Sequence, residues 1–257
     1  MKRIHLFEFE DQHWLPSWLR ECITRMIIPM HKLLGTSDII TEILAPALKK
    51  SGQSKILDLC SGSGGPMLEI LDKLETDYDL KHIELTFSDL YPNEQMVNAD
   101  LGNNINYVSE PIDATKIPKN IDGFRTIICG FHHMKPNIAK EILSSAHKDK
   151  APILIFEISD NSVPILLAFI ALPVNFLMGF IVSLFVKPLT WQQIVFTYLI
   201  PIIPITFAWD GAISNIRTYT FSDMDELLEG LHSDDYVWKK EMVKRKTKHL
   251  YLLGMPR

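Results

Sequence analysis

The stretch Ile56-Leu57-Asp58-Leu59-Cys60-Ser61-Gly62-Ser63-Gly64-Gly65-Pro66 joins an apolar run, a carboxylate and three closely spaced glycines. Glycines at a strand-to-helix turn let the backbone lie against a ligand, and the first helix amides are at hand for a polar group. Pro66 suits the first turn of the helix that follows. A nicotinamide or flavin site calls for G-x-G-x-x-G, and Gly62-Ser63-Gly64-Gly65-Pro66-Met67 lacks the final glycine. Further acidic residues follow: Asp89, 31 residues after Asp58, then Asp113, and later His132-His133 and Glu157. A carboxylate only accepts hydrogen bonds, which suits paired hydroxyls, and an imidazole titrates near neutrality, which suits proton transfer.

These residues need elements to hold them. Short apolar runs at 55–60, 83–89, 105–111, 124–131 and 152–159 alternate with helix-like segments at 66–75 and 137–147. Near-continuous apolar strands between helices imply a parallel sheet covered on both faces. Asp58, Asp89, Asp113, His132 and Glu157 then fall at or just past strand ends. A helical stretch at 222–231 and two strands, 236–244 and 248–254, complete the pattern, the last two as an edge hairpin. Ahead of the sheet, 14–34 reads as an amphipathic helix broken near Pro29, and 38–50 as a second helix stopped by Ser51-Gly52.

In this register the residues resemble the class I S-adenosylmethionine-dependent methyltransferases, whose first motif is an acidic residue, a spacer and G-x-G-G. The resemblance covers 38–160 and, more loosely, 210–254. It implies a Rossmann-like α/β fold: a mainly parallel seven-stranded sheet with helices on both faces. It also implies S-adenosylmethionine as cofactor. Gly62, Gly64 and Gly65 would hold its amino-acid end, Asp58 its ammonium, Asp89 the ribose hydroxyls and Asp113 the adenine amino group, with Cys60, Leu90 and Ala114 flanking them. His132 stands where related small-molecule enzymes place a catalytic histidine; His133 and Glu157 are the other candidate bases, against a reading in which the histidines only cap the strand. The tetrapeptide of amino-group DNA methylases is absent, since the corresponding stretch reads Cys129-Gly130-Phe131-His132.

The chain has 257 residues, 22% charged, with a net charge of -5, which fits neither a disordered chain nor a globally basic nucleic-acid binder. Three scattered cysteines make no disulfide framework or metal knuckle, and no metal is expected. Lys2 and Arg3 open the chain, but Glu8, Glu10 and Asp11 interrupt any signal-peptide core, so the bulk of the protein is expected to face the cytoplasm. Within an average apolar content of 47%, residues 161–209 carry a single charge, Lys187. Two uncharged runs, 162–186 and 188–208, are each long enough for a spanning helix of about 20 residues. Both ends of the block join one sheet, so the expectation is a paired or re-entrant membrane hairpin turning at Lys187-Pro188, with Pro164, Pro173, Pro188, Pro201 and Pro204 kinking it. A dimerisation hairpin or a substrate funnel in a soluble enzyme is the alternative.

The expected division is thus an N-terminal helical lid (1–50), a cofactor-binding core (51–160), the apolar hairpin (161–209) and the rest of the core (210–257). Trp14 and Trp18 in the lid, and Asp210 and Arg217 after the hairpin, are candidate acceptor contacts. Their alternatives are helix docking for the tryptophans and structural pairing for the charged pair. Basic residues from Lys239 to Lys248 suit either anionic lipid or a solvated sheet edge. The function expected is methyl transfer to a hydrophobic small molecule or lipid-like acceptor at the cytoplasmic membrane face. A non-catalytic cofactor-binding sensor or scaffold stands beside it.

Overall fold

The computed structural model describes every residue except Lys2, so that part of the N-terminal reading lies outside the described residues. Among them the chain forms α1 (Ser17–Arg25), α2 (Ile27–Leu34), α3 (Thr36–Ser51), β1 (Lys55–Leu59), α4 (Met67–Tyr78), β2 (Glu84–Ser88), α5 (Glu94–Val97) and β3 (Ile105–Tyr107). Then come β4 (Phe124–Ile128), a 3-10 turn at Phe131–His133, α6 (Pro136–Lys148) and β5 (Ile153–Glu157). The apolar block forms α7 (Ile165–Ile170), α8 (Leu172–Ser183), α9 (Trp191–Ile194), a π turn at Val195–Leu199 and α10 (Ile202–Arg217). The chain closes with α11 (Phe221–Leu228), β6 (Tyr236–Lys244) and β7 (Lys248–Pro256).

The strands join one sheet in the order β3-β2-β1-β4-β5-β7-β6, with β1 to β5 parallel and β7 antiparallel to both neighbours. Side chains alternate across the pleat, and the apolar runs feed two cores accordingly. Ile56, Phe87, Phe124, Leu154 and Phe156 pack under α3 and α4, while Leu57, Leu59, Ile127, Ile153 and Ile155 pack against α6 and α11. α3 buries Ile40, Leu44 and Leu48 in the first of these cores, so it belongs to the α/β unit; the segment ahead of it lies over the strand ends.

Of the two forms of hairpin expected at 161–209, spanning or re-entrant, the pair of full-length spanning helices is not formed. Among the described residues no single helix is long and apolar enough to cross a membrane; Trp191–Leu199 and Ile202–Arg217 reach that length only together, across a bend of 82°. Proline is the reason. Pro164 and Pro201 directly precede α7 and α10, Pro173 and Pro204 sit in first turns, and Pro188 lies in the loop after α8, so they delimit short helices instead of kinking long ones. α8 and α10 pack together at Gly179, where a Cβ would lie 2.9 Å from the Pro204 Cα. Val182, Val186 and Ile203 bury against Leu19, Ile23 and Met26 of the N-terminal helices. Ser183 Oγ accepts from Gln193 Nε2 at 2.7 Å and lies 3.0 Å from Thr197 Oγ1, a buried polar knot inside the block. The outer face stays bare: Leu166, Val174, Leu177, Leu184, Phe185, Trp191 and Leu199 are 61–76% exposed.

Candidate active site

The sheet reverses direction of build between β1 and β4, and open α/β sheets take ligands at the carboxyl ends of strands beside such a switch point. The glycine turn lies there. Cys60, Gly62, Gly64 and Gly65 all have positive φ, a conformation that strains most side chains. A Cβ built on Gly62 or Gly65 meets nothing within 4 Å, so open space lies over both, whereas Gly64 is packed against Met96 and Phe87. Gly62 N donates to Asp89 Oδ2 at 2.9 Å and Tyr91 N to Asp89 Oδ1 at 2.9 Å, which leaves lone pairs on both oxygens. Burial pushes the Asp89 carboxyl up, against the pull of those amides. Tyr107 Oη donates to Gly62 O at 3.0 Å and holds the turn from β3.

Asp58 lies beneath the turn, almost fully buried, with its Oδ1 accepting from Thr126 Oγ1 at 2.6 Å. Burial raises it to about 7, with the hydroxyls of Thr126 and Ser61 pulling the other way. Asp113 is exposed; its Oδ1 accepts from Thr115 N and Oγ1, which leaves the other oxygen free. Ala114 is buried beside it and Leu90 is exposed on the rim. Burial also raises the Cys60 thiol, so that side chain stays neutral.

The histidine pair follows β4, where the backbone at Gly130 passes so close to β1 that a Cβ would lie 3.3 Å from the Cys60 Cβ. His132 N donates to Glu157 Oε1 at 3.0 Å and its Nδ1 to Glu157 Oε2 at 2.8 Å. Both residues are buried, and the imidazole Nε2 has no partner. Glu157 is therefore committed to His132. His133 is surrounded by the N-terminal segment: its Nδ1 lies 2.9 Å from Asp11 and 3.1 Å from Glu8, and its Nε2 3.0 Å from Glu10. Burial opposes the charge on His133, but the carboxylates outweigh it and hold the imidazolium well above its usual range. That cation has no neutral nitrogen to serve as a base.

Asp210 and Arg217 share a face of α10, as their spacing predicts, but they do not pair with each other, and both are buried. Asp210 accepts from Phe9 N at 2.7 Å and Glu10 N at 3.2 Å. Arg217, 1% exposed, pairs with Glu8 at 3.1 Å and Asp11 at 2.6 Å and donates to His133 O. Both residues fasten residues 8–11 as a strap over the strand ends. Arg3 completes the fastening, donating to Arg217 O and His132 O at 2.6 Å and lying over the Tyr219 ring. Burial opposes ionised Glu8, yet His133, His132 and Arg217 bring it below its usual range; burial opposes ionised Asp11 too, and His133 and Arg217 bring it well down. Trp18 stacks on Phe196 of the apolar block at 4.6 Å, which fits its docking role, and Trp14 is exposed.

The sequence reasoning missed Arg3 and Glu8 as site neighbours; it read Glu10 and Asp11 as lid acids able to meet a cation, and the cations they meet are His133 and Arg217. The signal was a run of acids ahead of the fold, with nothing local to say what they face. Glu8, His132 and His133 now stand together, one ligand atom from each within 4.8 Å of the others.

No family model matches the chain, and no curated protein matches it. Solved structures do match. The plantazolicin methyltransferase BpumL, in complex with a pentazolic desmethylPZN analog and SAH, superposes with a TM-score of 0.52 at 10% identity, over 94% of this chain and 99% of that one. The fold is that of the class I methyltransferases. A putative O-methyltransferase from Nostoc punctiforme PCC 73102 gives 0.50 at 9% identity, over 94% of this chain and 60% of that one. At such identities the likeness speaks for the fold, and the chemistry rests on the residues described above.

Proposed function

We propose that this protein is an S-adenosylmethionine-dependent methyltransferase that acts on a hydrophobic small-molecule or lipid-like acceptor at a membrane face. The open glycine turn with Asp89 hydrogen-bonded across it carries the reading, because space over Gly62 and Gly65 and two unspent carboxylate lone pairs suit the nucleoside and amino-acid ends of that cofactor. Asp58 would accept from its ammonium, directly or through water, and the free oxygen of Asp113 from the adenine amino group. The cofactor supplies a methyl group on a positive sulfur, transferred by in-line displacement. The protein's part is positioning, excluding water and taking the acceptor's proton where there is one. His132, aimed by Glu157 with Nε2 unspent, is the group for the acceptor side; His133 and Arg217 hold the strap that covers it.

The apolar acceptor is inferred from the block. Its inner face packs on the N-terminal helices next to the strap, while its outer face presents Leu166, Leu184, Phe185 and Trp191 to the surroundings. An exposed apolar surface of this extent needs a partner. The basic turn between β6 and β7 lies beside its start, where Lys248 Nζ donates to Ser162 Oγ at 3.2 Å, and cations next to an apolar face suit anionic lipid. The block would then lie in the cytoplasmic leaflet without crossing it.

The test is methyl transfer from labelled cofactor into total membrane lipid extract, against a soluble metabolite extract. Label in an apolar product, lost in Gly62→Val, is the expected result. Label found only in soluble products removes the lipid acceptor, and no label with either extract removes the enzyme reading.

A further inference from the structure

We propose that the strap and the histidine pair form a binding site for one divalent transition-metal ion, with Glu8, Asp11, His132 and His133 as donors. One ligand atom each from Glu8, His132 and His133 already lies within 4.8 Å of the other two. The stronger observation is what these atoms lack. His132 is 94% buried by its 6% exposure, its Nδ1–H is fixed on Glu157, and its Nε2 is a buried lone pair with no hydrogen-bond partner. Glu8 has no exposed surface, and its Oε1 has no partner, while its Oε2 has only the ion pairs to His133 and Arg217, both at 3.1 Å. Buried polar atoms are normally satisfied, and a cluster of exceptions facing one another calls for a ligand.

The surroundings have the form of a metal shell. A ligating histidine commonly donates its other N–H to a carboxylate, which fixes the tautomer and raises its basicity, and Glu157 stands in that relation to His132. Charge agrees. Glu8, Glu10, Asp11 and Glu157 face the two guanidiniums of Arg3 and Arg217, while Asp210 stands apart from them on the Phe9 and Glu10 amides. With His133 charged one negative charge remains, and with His133 neutral as a donor two remain, the charge of one divalent ion. Without the ion, His133 occupies the middle with both N–H groups on carboxylates; on binding, its Nδ1 would give up a proton and become a donor atom. Two imidazoles with carboxylates favour zinc, manganese or ferrous ions over calcium or magnesium, which prefer oxygen shells.

The histidine turn starts at Gly130, which lies against Cys60 of the cofactor turn, so the ion would lie close to that turn. Resting on the methyltransferase reading, an ion on His132 Nε2 would replace the free imidazole on the acceptor side: it would hold an acceptor oxygen in an open position, favour loss of that oxygen's proton to solvent, and make the acceptor class an oxygen-bearing one. Ion binding itself does not depend on that reading.

The experiment is calorimetry of Zn2+ and of Mn2+ into the untagged, chelator-stripped full chain without cofactor or acceptor, with metal content counted after dialysis. The expected result is one ion per chain and a raised Tm. His132→Ala is expected to lose most of the binding, and Glu157→Gln, outside the donor set, to weaken it by about 10–100-fold. The exposed remote carboxylate variant Asp79→Asn should bind as the wild type. Circular dichroism shows whether each variant folds, and if Glu8→Gln or His132→Ala does not, the wild-type stoichiometry and Glu157→Gln still decide. No ion bound by wild type, or equal binding by a folded His132→Ala, overturns the site. An ion bound with the expected variant pattern supports it whether or not any methyl transfer is found.

Discussion

Replacing Asp89 by asparagine tests the cofactor turn most directly. Asp89 accepts a backbone N–H on each oxygen, from Gly62 and from Tyr91, both at 2.9 Å, and keeps a lone pair on each for a hydroxyl. An asparagine has one oxygen and one NH2 group. Whichever way the amide is turned, one backbone N–H faces a donor, and one ligand hydroxyl loses its acceptor. Hydrogen bonds to charged groups contribute about 1.5–3 kcal/mol each, so losing one and neutralising the other removes about 3 kcal/mol. That is about two powers of ten in Kd. The protein itself should stay folded, because burial already disfavours the Asp89 charge. The assay is calorimetry with S-adenosylhomocysteine and its 2′-deoxy analogue on both proteins. Wild type should lose about tenfold or more on removal of the hydroxyl, and the variant much less, a coupling of the size expected for groups in contact. A variant that binds S-adenosylhomocysteine like the wild type, or that loses the same factor with the deoxy analogue, refutes the assignment of Asp89 to the ribose.

Asp58 should make cofactor binding pH-dependent: burial raises it to about 7, a bound ammonium would favour its ionised form, and so binding should expel a proton and weaken as pH falls below 7. Calorimetry in buffers of different ionisation enthalpy counts that proton, which Asp58→Asn should abolish; an equal count in the variant sinks the idea. By the same sign, the raised Asp58 contributes stability to the unliganded protein that is complete below about pH 4 and is lost as pH rises through 7. Arg217→Met strands the buried Glu8 opposite His133 alone. Removing one partner of such a pair costs about 3–5 kcal/mol, or about 10 °C in Tm for a chain of this size. Thermal melts and hydrogen exchange at residues 3–11 check it, and an unchanged Tm with unchanged protection contradicts the clasp. Leu184→Glu with Trp191→Glu changes side chains 63% and 65% exposed, so folding should be preserved while co-flotation with anionic vesicles falls. Equal flotation of variant and wild type removes the membrane-facing role of this surface.

The cofactor turn was legible in the sequence because its parts are local. Asp58, the glycines and Pro66 lie on one strand-turn-helix unit, and Asp89 reaches Gly62 across 27 residues, one βα repeat away. The alternating apolar runs marked β1, β2, β4 and β5 to within two or three residues at their ends, since each must bury side chains on both faces of the sheet. The apolar block was legible as a composition, and counting uncharged residues allowed two spans or a re-entrant hairpin; the prolines at the starts of α7, α8 and α10 keep the helices short, and Trp191–Leu199 and Ile202–Arg217 meet at 82°.

The strap was not legible, and the reason is topological. His133 meets Asp11 across 122 residues, and Arg217 meets Asp11 across 206. In the sequence Glu8, Glu10 and Asp11 break a signal-peptide core, and Glu10 or Asp11 could meet a cation from a lid; which cation appears once β4 and α10 deliver a histidine and an arginine to the same strand ends. The spacing of Asp210 and Arg217 did announce a shared helical face, but a face does not name its partner. Asp210 takes the backbone amides of the strap and Arg217 its carboxylates, so one acidic segment is held by an acceptor and a donor two turns apart. The first turns of that same helix pack Ile203 and Pro204 into the apolar block. A single rigid element therefore joins the surface that faces outward to the segment that covers the histidines, and the insertion is tied to the site by construction as well as by proximity.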